Sequence, residues 1–185
     1  MKEMQISEIW SMLKTSHGNA ILLKPKKMEI AVPIFIGALE MQSILIGREG
    51  AKLSRPHTHD LLINILANVN LSVRRVEVVE LKDDVFHARL IITGGEYSSD
   101  NPLVLDSRPS DAFAIAARKK CPIYIASSVI EKTGVPLSFF IDEFEEDPED
   151  RHRSLREQLE QAVAEEEYEQ AAEIRDLLRL LGSEE

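Results

Sequence analysis

The feature that most constrains the fold is an abrupt change in composition after Phe144. Residues 142–185 carry 17 acidic and 5 basic side chains, whereas residues 1–141 carry 15 acidic and 17 basic ones. The run at 145–150, Glu-Glu-Asp-Pro-Glu-Asp, repels itself and contains a proline, which is typical of a linker. The sequence therefore predicts a folded domain at 1–145, followed by an acidic linker and a helical segment at 146–185.

Composition limits the class of protein. A body of about 145 residues can bury roughly two thirds of its unfolded surface, so it needs no disulfide or metal to fold. The single cysteine, Cys121, cannot form an internal bridge, and no apolar run approaches the ~20 residues of a membrane span. A cytoplasmic protein with no membrane contact is expected. The nearly neutral body neither requires nor excludes a polyanionic partner.

Hydrophobic patterning predicts alternating strands and helices in this body. The clearest element is a hairpin, because residues 73–81 and 85–92 both alternate and flank a Lys-Asp-Asp turn. Residues 5–12 predict an edge strand, Gly47 is expected to end the first helix, and Thr58 is expected to cap the second. Further strands are predicted at 20–23, 29–36, 103–105 and 123–126, with helices at 38–46, 58–68 and 109–120 and a short turn closed by Gly134. The predicted fold class is α+β, a mixed or antiparallel sheet with a few packed helices, plus a C-terminal helical hairpin.

The C-terminal segment has two short apolar stripes separated by Glu165, Glu166 and Glu167. The stripes predict a helical hairpin, with one long helix as the alternative, and a hairpin of this size has too little core to be stable alone and is expected to dock on a protein partner. Its negative charge either only solvates the outer face of the hairpin or allows it to compete with a polyanion for a basic surface around Arg55, Arg108 and residues 118–120.

Two polar clusters precede predicted helices: Arg-Pro-His-Thr-His-Asp at 55–60 and Asp-Ser-Arg-Pro-Ser-Asp at 106–111. The first turn of a helix attracts anions, and arginine binds phosphate through two parallel hydrogen bonds. The carboxylates of each cluster could also hold one or two divalent ions of the kind used by phosphodiesterases. Both clusters therefore predict phosphate binding.

A purely structural interpretation of the same residues stays open. In it the hydroxyls are helix caps, Asp60 and Asp111 complement helix dipoles, and the arginines form salt bridges with them. His57 and His59 lie two residues apart, which makes a metal site only with distant ligands, whereas His59 beside Asp60 suits a general base. Cys121 has no signature of a nucleophile.

Several of these stretches together resemble a known family. The stretches are Arg-Pro-x-Thr-His-Asp at 55–60, Asp-Ser-Arg-Pro-Ser-Asp-Ala at 106–112, Cys-Pro-Ile at 121–123 and Pro-Ile-Phe-Ile-Gly-Ala-Leu-Glu at 33–40. They resemble the bifunctional nuclease domain over most of residues 1–140. The tail is similar to the UVR motif of excision-repair proteins through Leu155, Leu159, Ala162 and the stretch from Tyr168 to Asp176. The resemblance implies a nuclease acting on DNA and RNA, an α+β fold and a homodimer or higher homo-oligomer.

The candidate site residues follow from the clusters and the resemblance. The acid/base or ion-binding candidates are Glu40, His59, Asp60, Asp106 and Asp111. The substrate-binding candidates are Arg55, His57, Arg108 and Ser110. The expected cofactor is a divalent cation, Mg²⁺ or Mn²⁺, and the expected partners are nucleic acid and a protein bound by the hairpin. Two other classes stay open: a nucleic-acid or nucleotide-binding regulator without turnover, and an adaptor protein.

Overall fold

The structure is a computed structural model that describes residues 3–15, 18–51 and 54–140. The chain divides into two units, Met1–Leu137 and Ser138–Glu185, and the elements named below belong to the first. The predicted helical hairpin lies outside the described residues, and the boundary near residue 146 stays a prediction.

The described part of the first unit forms eight strands and four helices. The strands are β1 (Met4–Thr15), β2 (Gly18–Pro25), β3 (Ile30–Ile36), β4 (Leu71–Lys82), β5 (Val85–Gly94), β6 (Leu103–Ser107), β7 (Ile123–Ala126) and β8 (Val135–Pro136). The helices are α1 (Ala38–Glu49), α2 (Thr58–Asn68), α3 (Pro109–Lys119) and α4 (Ser127–Thr133). In the described residues, no helix has the length and apolar character needed to cross a bilayer.

The strands form one mixed sheet in the order β6-β5-β4-β7-β1-β2-β3-β8. Neighbouring strands are antiparallel except β4 and β7, which are parallel. The predicted α+β class is confirmed. So is the β4–β5 hairpin, whose turn residues Asp83 and Asp84 both have positive φ, at 50° and 60°. Right-handed strand twist favours such turns.

The prediction that the first strand is an edge strand is wrong. Residues 4–7 of β1 pair with β7, which comes more than a hundred residues later, while the rest of β1 pairs with β2. Local alternation shows which face of a strand is apolar, but it does not show a distant partner.

Helix α3 lies at the centre of the core and contacts β4, β5, α1 and α2. The five consecutive residues from Ala112 to Ala116 are buried, so this part of the helix is covered on all sides, and Phe113 is fully enclosed. The expectation that Gly47 ends α1 is wrong, because α1 continues to Glu49 and ends at Gly50, where φ is 63°. Gly47 is instead buried against α3, where a Cβ atom would lie 3.0 Å from that of Ala117. The glycine allows α1 and α3 to approach closely, which brings their polar N-terminal turns together.

Candidate functional site

Each of α1, α2 and α3 has a carboxylate as its third residue: Glu40, Asp60 and Asp111. A negative charge in the first turn is stabilised by the positive end of the helix dipole. In α2 the Asp60 carboxylate also accepts the backbone N–H of His57 at 3.0 Å. His57 is thus the N-cap residue, and the expectation that Thr58 caps this helix is wrong, because Thr58 is already the first helical residue.

Arg108, the N-cap residue of α3, joins two of these carboxylates. Its Nε and Nη2 donate to the two carboxylate oxygens of Asp111 at 2.8 and 3.2 Å, and its Nη1 donates to Glu40 Oε1 at 3.2 Å. A guanidinium has five N–H groups, so two remain for a ligand. The Arg108 side chain is 66% exposed, which leaves those two groups accessible.

His59 is held at both ring nitrogens. Its Nε2 lies 3.2 Å from Asp111 Oδ1, and its Nδ1 lies 2.9 Å from the Ser43 hydroxyl. Burial acts to raise the pKa of the Asp111 carboxyl, but hydrogen bonds from Arg108 and His59 and their charges outweigh it and keep this pKa below its usual value. Asp111 is therefore an acceptor at neutral pH, so Nε2 carries a proton, and a ring with that proton alone accepts a hydrogen bond from the Ser43 hydroxyl at Nδ1.

A second Asp–Arg pair joins the last turn of α3 to the first turn of α2. Arg118 Nε donates to Asp60 Oδ1 at 2.8 Å, and its Nη1 donates to the backbone oxygens of Ser43 and Ala114 at 2.8 and 3.0 Å. The Arg118 side chain is only 7% exposed, so it ties α1 and α2 to α3 from inside. The prediction that Arg118 contributes to a basic surface is wrong for this reason.

Burial also acts to raise the pKa of the Asp60 carboxyl. The backbone hydrogen bond from His57, the hydrogen bond from Arg118 and the charges of both residues outweigh this effect and hold the pKa below its usual value. Asp60 is thus ionised at neutral pH and occupied by structural contacts.

The structure brings together only some of the predicted site residues. Glu40, His59, Arg108 and Asp111 form one bonded group, here called the Arg108 cluster, with Ser43 attached through His59. The others lie apart or make different contacts. Asp106 is exposed on the edge strand β6 opposite Arg89, Arg55 is exposed in the loop before α2, His57 is exposed at the start of α2, and Ser110 is buried in the first turn of α3.

Two cavities border the Arg108 cluster. The first, of about 350 Å³, is lined by Glu40, Arg108 and Ser110 and by apolar residues that include Phe35. The second, of about 430 Å³, is lined by Ser43 and His59 together with other polar and apolar residues. The first cavity therefore gives a ligand access to Arg108, and the second gives access to His59.

Sequence reasoning missed Ser43 and the structural role of Arg118. Both could have been found from helical spacing, because Ser43 follows Glu40 by three residues and Arg118 follows Asp111 by seven. Such intervals place side chains on the same face of a helix. The partners across helices, His59 and Asp60, were not readable from spacing.

The carboxylates of this region make contacts other than those of a metal site. Among the described residues, no three His, Cys, Asp or Glu side chains lie close enough to share an ion. The Arg108 guanidinium bridges Glu40 and Asp111 instead. The described residues do not fit an ion held by three protein ligands, and the divalent cation stays a prediction.

Comparison with known proteins identifies relatives of this fold and site. "Uncharacterized protein Rv1829" of Mycobacterium tuberculosis is 32% identical over 123 residues, which cover 66% of this chain and 71% of that protein. "Bifunctional nuclease 1" of Arabidopsis thaliana is 30% identical over 187 residues, or 90% of this chain and 54% of its own length. "Bifunctional nuclease 1" of Oryza sativa subsp. japonica is 25% identical over 122 residues, or 64% of this chain and 36% of its length.

Two family matches cover separate parts of the chain. Residues 149–184 match the UvrB/uvrC motif, as expected from the tail. Residues 21–138 match the bifunctional nuclease domain and include every member of the Arg108 cluster. The chain therefore belongs to the bifunctional nuclease domain family and carries a UvrB/uvrC motif after that domain.

Proposed function

We propose that this chain hydrolyses phosphodiester bonds of DNA or RNA at the Arg108 cluster. The observation that carries the proposal is the state of Arg108, which is fixed at three N–H groups by two carboxylates yet keeps two N–H groups accessible. A guanidinium fixed in this way binds a phosphate with little loss of side-chain entropy. The names of the plant relatives support the same activity.

The helix ends add a favourable field for an anion. The first turns of α1 and α3 adjoin the cavity beside Arg108. Each helix start acts as roughly half a positive charge through its unpaired backbone N–H groups. Glu40, Arg108 and Asp111 together carry one net negative charge, so the two helix ends roughly cancel it. Arg108 is then the group that decides where the phosphate binds.

His59 is suited to receive the proton of the attacking water. A ring protonated only at Nε2 can accept a proton at Nδ1, and this proton arrives through Ser43, whose hydroxyl passes its own proton to Nδ1 and takes that of the water. The imidazolium formed is stabilised at Nε2 by the ionised Asp111. The water oxygen bonds to phosphorus, one P–O ester bond breaks, and the leaving oxygen takes a proton from bulk water, to which His59 later returns its own. Ser43 is a proton relay in this scheme.

Cleavage by the full chain tests the proposal. Purified protein is incubated with fluorescent single-stranded DNA and RNA, beside the Arg108→Ala and His59→Ala variants. Arg48→Ala is the matched control, because Arg48 is an exposed arginine at the other end of α1. We expect cleavage by the wild-type protein and the control, and at least a hundredfold loss in both cluster variants.

The cation and the non-catalytic alternative are tested in the same assay. Parallel reactions contain Mg²⁺, Mn²⁺ or EDTA, and binding is measured beside cleavage. We expect binding to persist in EDTA, since the phosphate is held by Arg108. Binding that depends on Arg108 without cleavage under any condition would support the regulator instead. Cleavage unchanged in Arg108→Ala and His59→Ala would contradict the proposed site.

A further inference from the structure

The cavity beside Arg108 has an apolar half that phosphate chemistry does not use. This half is formed by β3 and by the tip of the β4–β5 hairpin, with Phe35, Val85 and Phe86 among its residues. Phe35 is 62% exposed and Val85 is 57% exposed. An aromatic ring this accessible, in a concave site next to a charged cluster, is available for stacking with a ligand.

The position of Phe35 in the sheet explains its accessibility. Phe35 pairs with Ala20 of β2 on one side of β3. On the other side, the described pairing with β8 involves only Ile30 and Ala31. The second half of β3 therefore has an open edge, and Phe35 can be reached from solvent along that edge.

The charges in the cavity orient a ligand. Arg108 joins the first turns of α1 and α3, and this group attracts phosphate. Asp84 lies in the hairpin turn among the apolar residues and repels it. A nucleotide bound here therefore has its phosphate at Arg108 and its base toward Phe35. The cavity volume of about 350 Å³ lies in the lower part of the ~300 to 1,000 Å³ range of small-ligand pockets.

We propose that this cavity binds one unpaired nucleobase stacked on Phe35, which makes single-stranded DNA or RNA the substrate class. This inference rests on the proposed phosphate site at Arg108. In a duplex each base is paired and stacked on its neighbours, so a base reaches Phe35 only after it leaves the stack. Single strands avoid that cost, and stacking on an aromatic side chain tolerates any base.

Binding of three probes to the full chain tests the inference. The probes are a short fluorescent single-stranded DNA, a strand of equal length made of abasic sites, and the corresponding duplex, all in EDTA so that binding is measured without turnover. We expect the base-bearing strand to bind about tenfold more tightly than the abasic strand. The Phe35→Ala variant should lose this difference, and Phe35→Trp should keep it.

Controls separate this inference from the proposed function. Leu61→Ala removes another exposed apolar side chain, from α2 and outside the lining of the cavity, and should bind all probes as the wild type does. Arg108→Ala should weaken the binding of every probe. If Arg108→Ala does so but wild-type protein binds the base-bearing and abasic strands equally, the base site is overturned and the phosphate site stands. If Arg108→Ala changes no affinity, the proposed phosphate site is overturned, and the base site with it.

Discussion

Two Asp–Arg pairs at opposite ends of α3 have the same Nε contact distance and differ in burial. In each pair the arginine Nε lies 2.8 Å from the aspartate, and both aspartate side chains are 34% exposed. The Arg108 side chain is 66% exposed, whereas the Arg118 side chain is 7% exposed. The pair at the start of α3 can exchange contacts with a ligand, but the pair near its end cannot.

The remaining N–H groups of the two arginines show the same contrast. Arg118 donates from Nη1 to backbone oxygens of α1 and α3, so it fixes three helices relative to one another, while its buried Nη2 has no hydrogen-bond partner among the described residues. Arg108 donates one N–H group to Glu40 and keeps two N–H groups accessible. Burial, and not the type of ion pair, therefore distinguishes the structural Arg118 from Arg108, which a ligand can reach.

The largest expected effect is on stability, from Arg118→Met. The variant leaves the Asp60 carboxylate without its arginine partner and removes an additional hydrogen bond from two helical backbone oxygens, which should lower the free energy of unfolding by about 3 kcal/mol. Chemical denaturation of wild type and variant measures this. Arg108→Met is the matched control and should unfold near the wild-type midpoint, because its side chain is exposed. Equal midpoints for all three proteins would contradict the contrast between the pairs.

The second prediction concerns affinity for nucleic acid. Arg108→Lys keeps the positive charge but loses the planar fork that holds Asp111 and a phosphate together. Affinity for single-stranded DNA should fall by about tenfold, less than in Arg108→Ala. Fluorescence anisotropy measures both variants at one fixed salt concentration. A lysine variant that binds as tightly as the wild type would show that charge alone matters.

Much of the fold was predictable because it is local. The β4–β5 hairpin and the start of α3 at Pro109 depend on alternation, turn residues and helix-end preferences. The site was only partly predictable. Both polar clusters were visible, but whether Asp60 or Asp111 meets His59 depends on how α2 crosses α3. The burial of Arg118 follows from the close contact between α1 and α3 at Gly47. In the sequence alone, this glycine indicates the end of a helix.

The third prediction uses pH. Both aspartates have a pKa in the folded protein below the ordinary value of 3.8, so their pairs stabilise the fold at neutral pH and lose this contribution as pH falls below about 4. Asp60→Asn should lower the free energy of unfolding by about 1 to 2 kcal/mol at pH 7, and this difference between variant and wild type should disappear toward pH 3. Asp111→Asn should show a smaller gap, because solvent screens its exposed partner. Denaturation series from pH 7 to 3 test whether Asp60→Asn destabilises the protein more than Asp111→Asn does.

The smallest expected effect comes from Gly37→Ala, which changes the second carboxylate of the Arg108 cluster. The backbone at Gly37, with φ −72° and ψ 165°, suits alanine, but the added Cβ would overlap Glu40 Oε2. Because this oxygen is the end of a flexible side chain, Glu40 turns away at little cost in stability and weakens its hydrogen bond to Arg108. The Arg108–Asp111 contact is untouched, so nucleic-acid cleavage should fall only about threefold, as for the loss of one hydrogen bond.

Gly50→Ala is the matched control for this last effect. It lies at the other end of α1 with φ 63°, where no atom would crowd the new methyl group but an L-residue is strained. It should lower stability by about 1 kcal/mol and leave cleavage unchanged. Cleavage that falls equally in both variants would tie activity to the stability of α1. A loss confined to Gly37→Ala would show that Glu40 positions Arg108. In the described residues, Arg108 has this second carboxylate contact and the buried Arg118 does not.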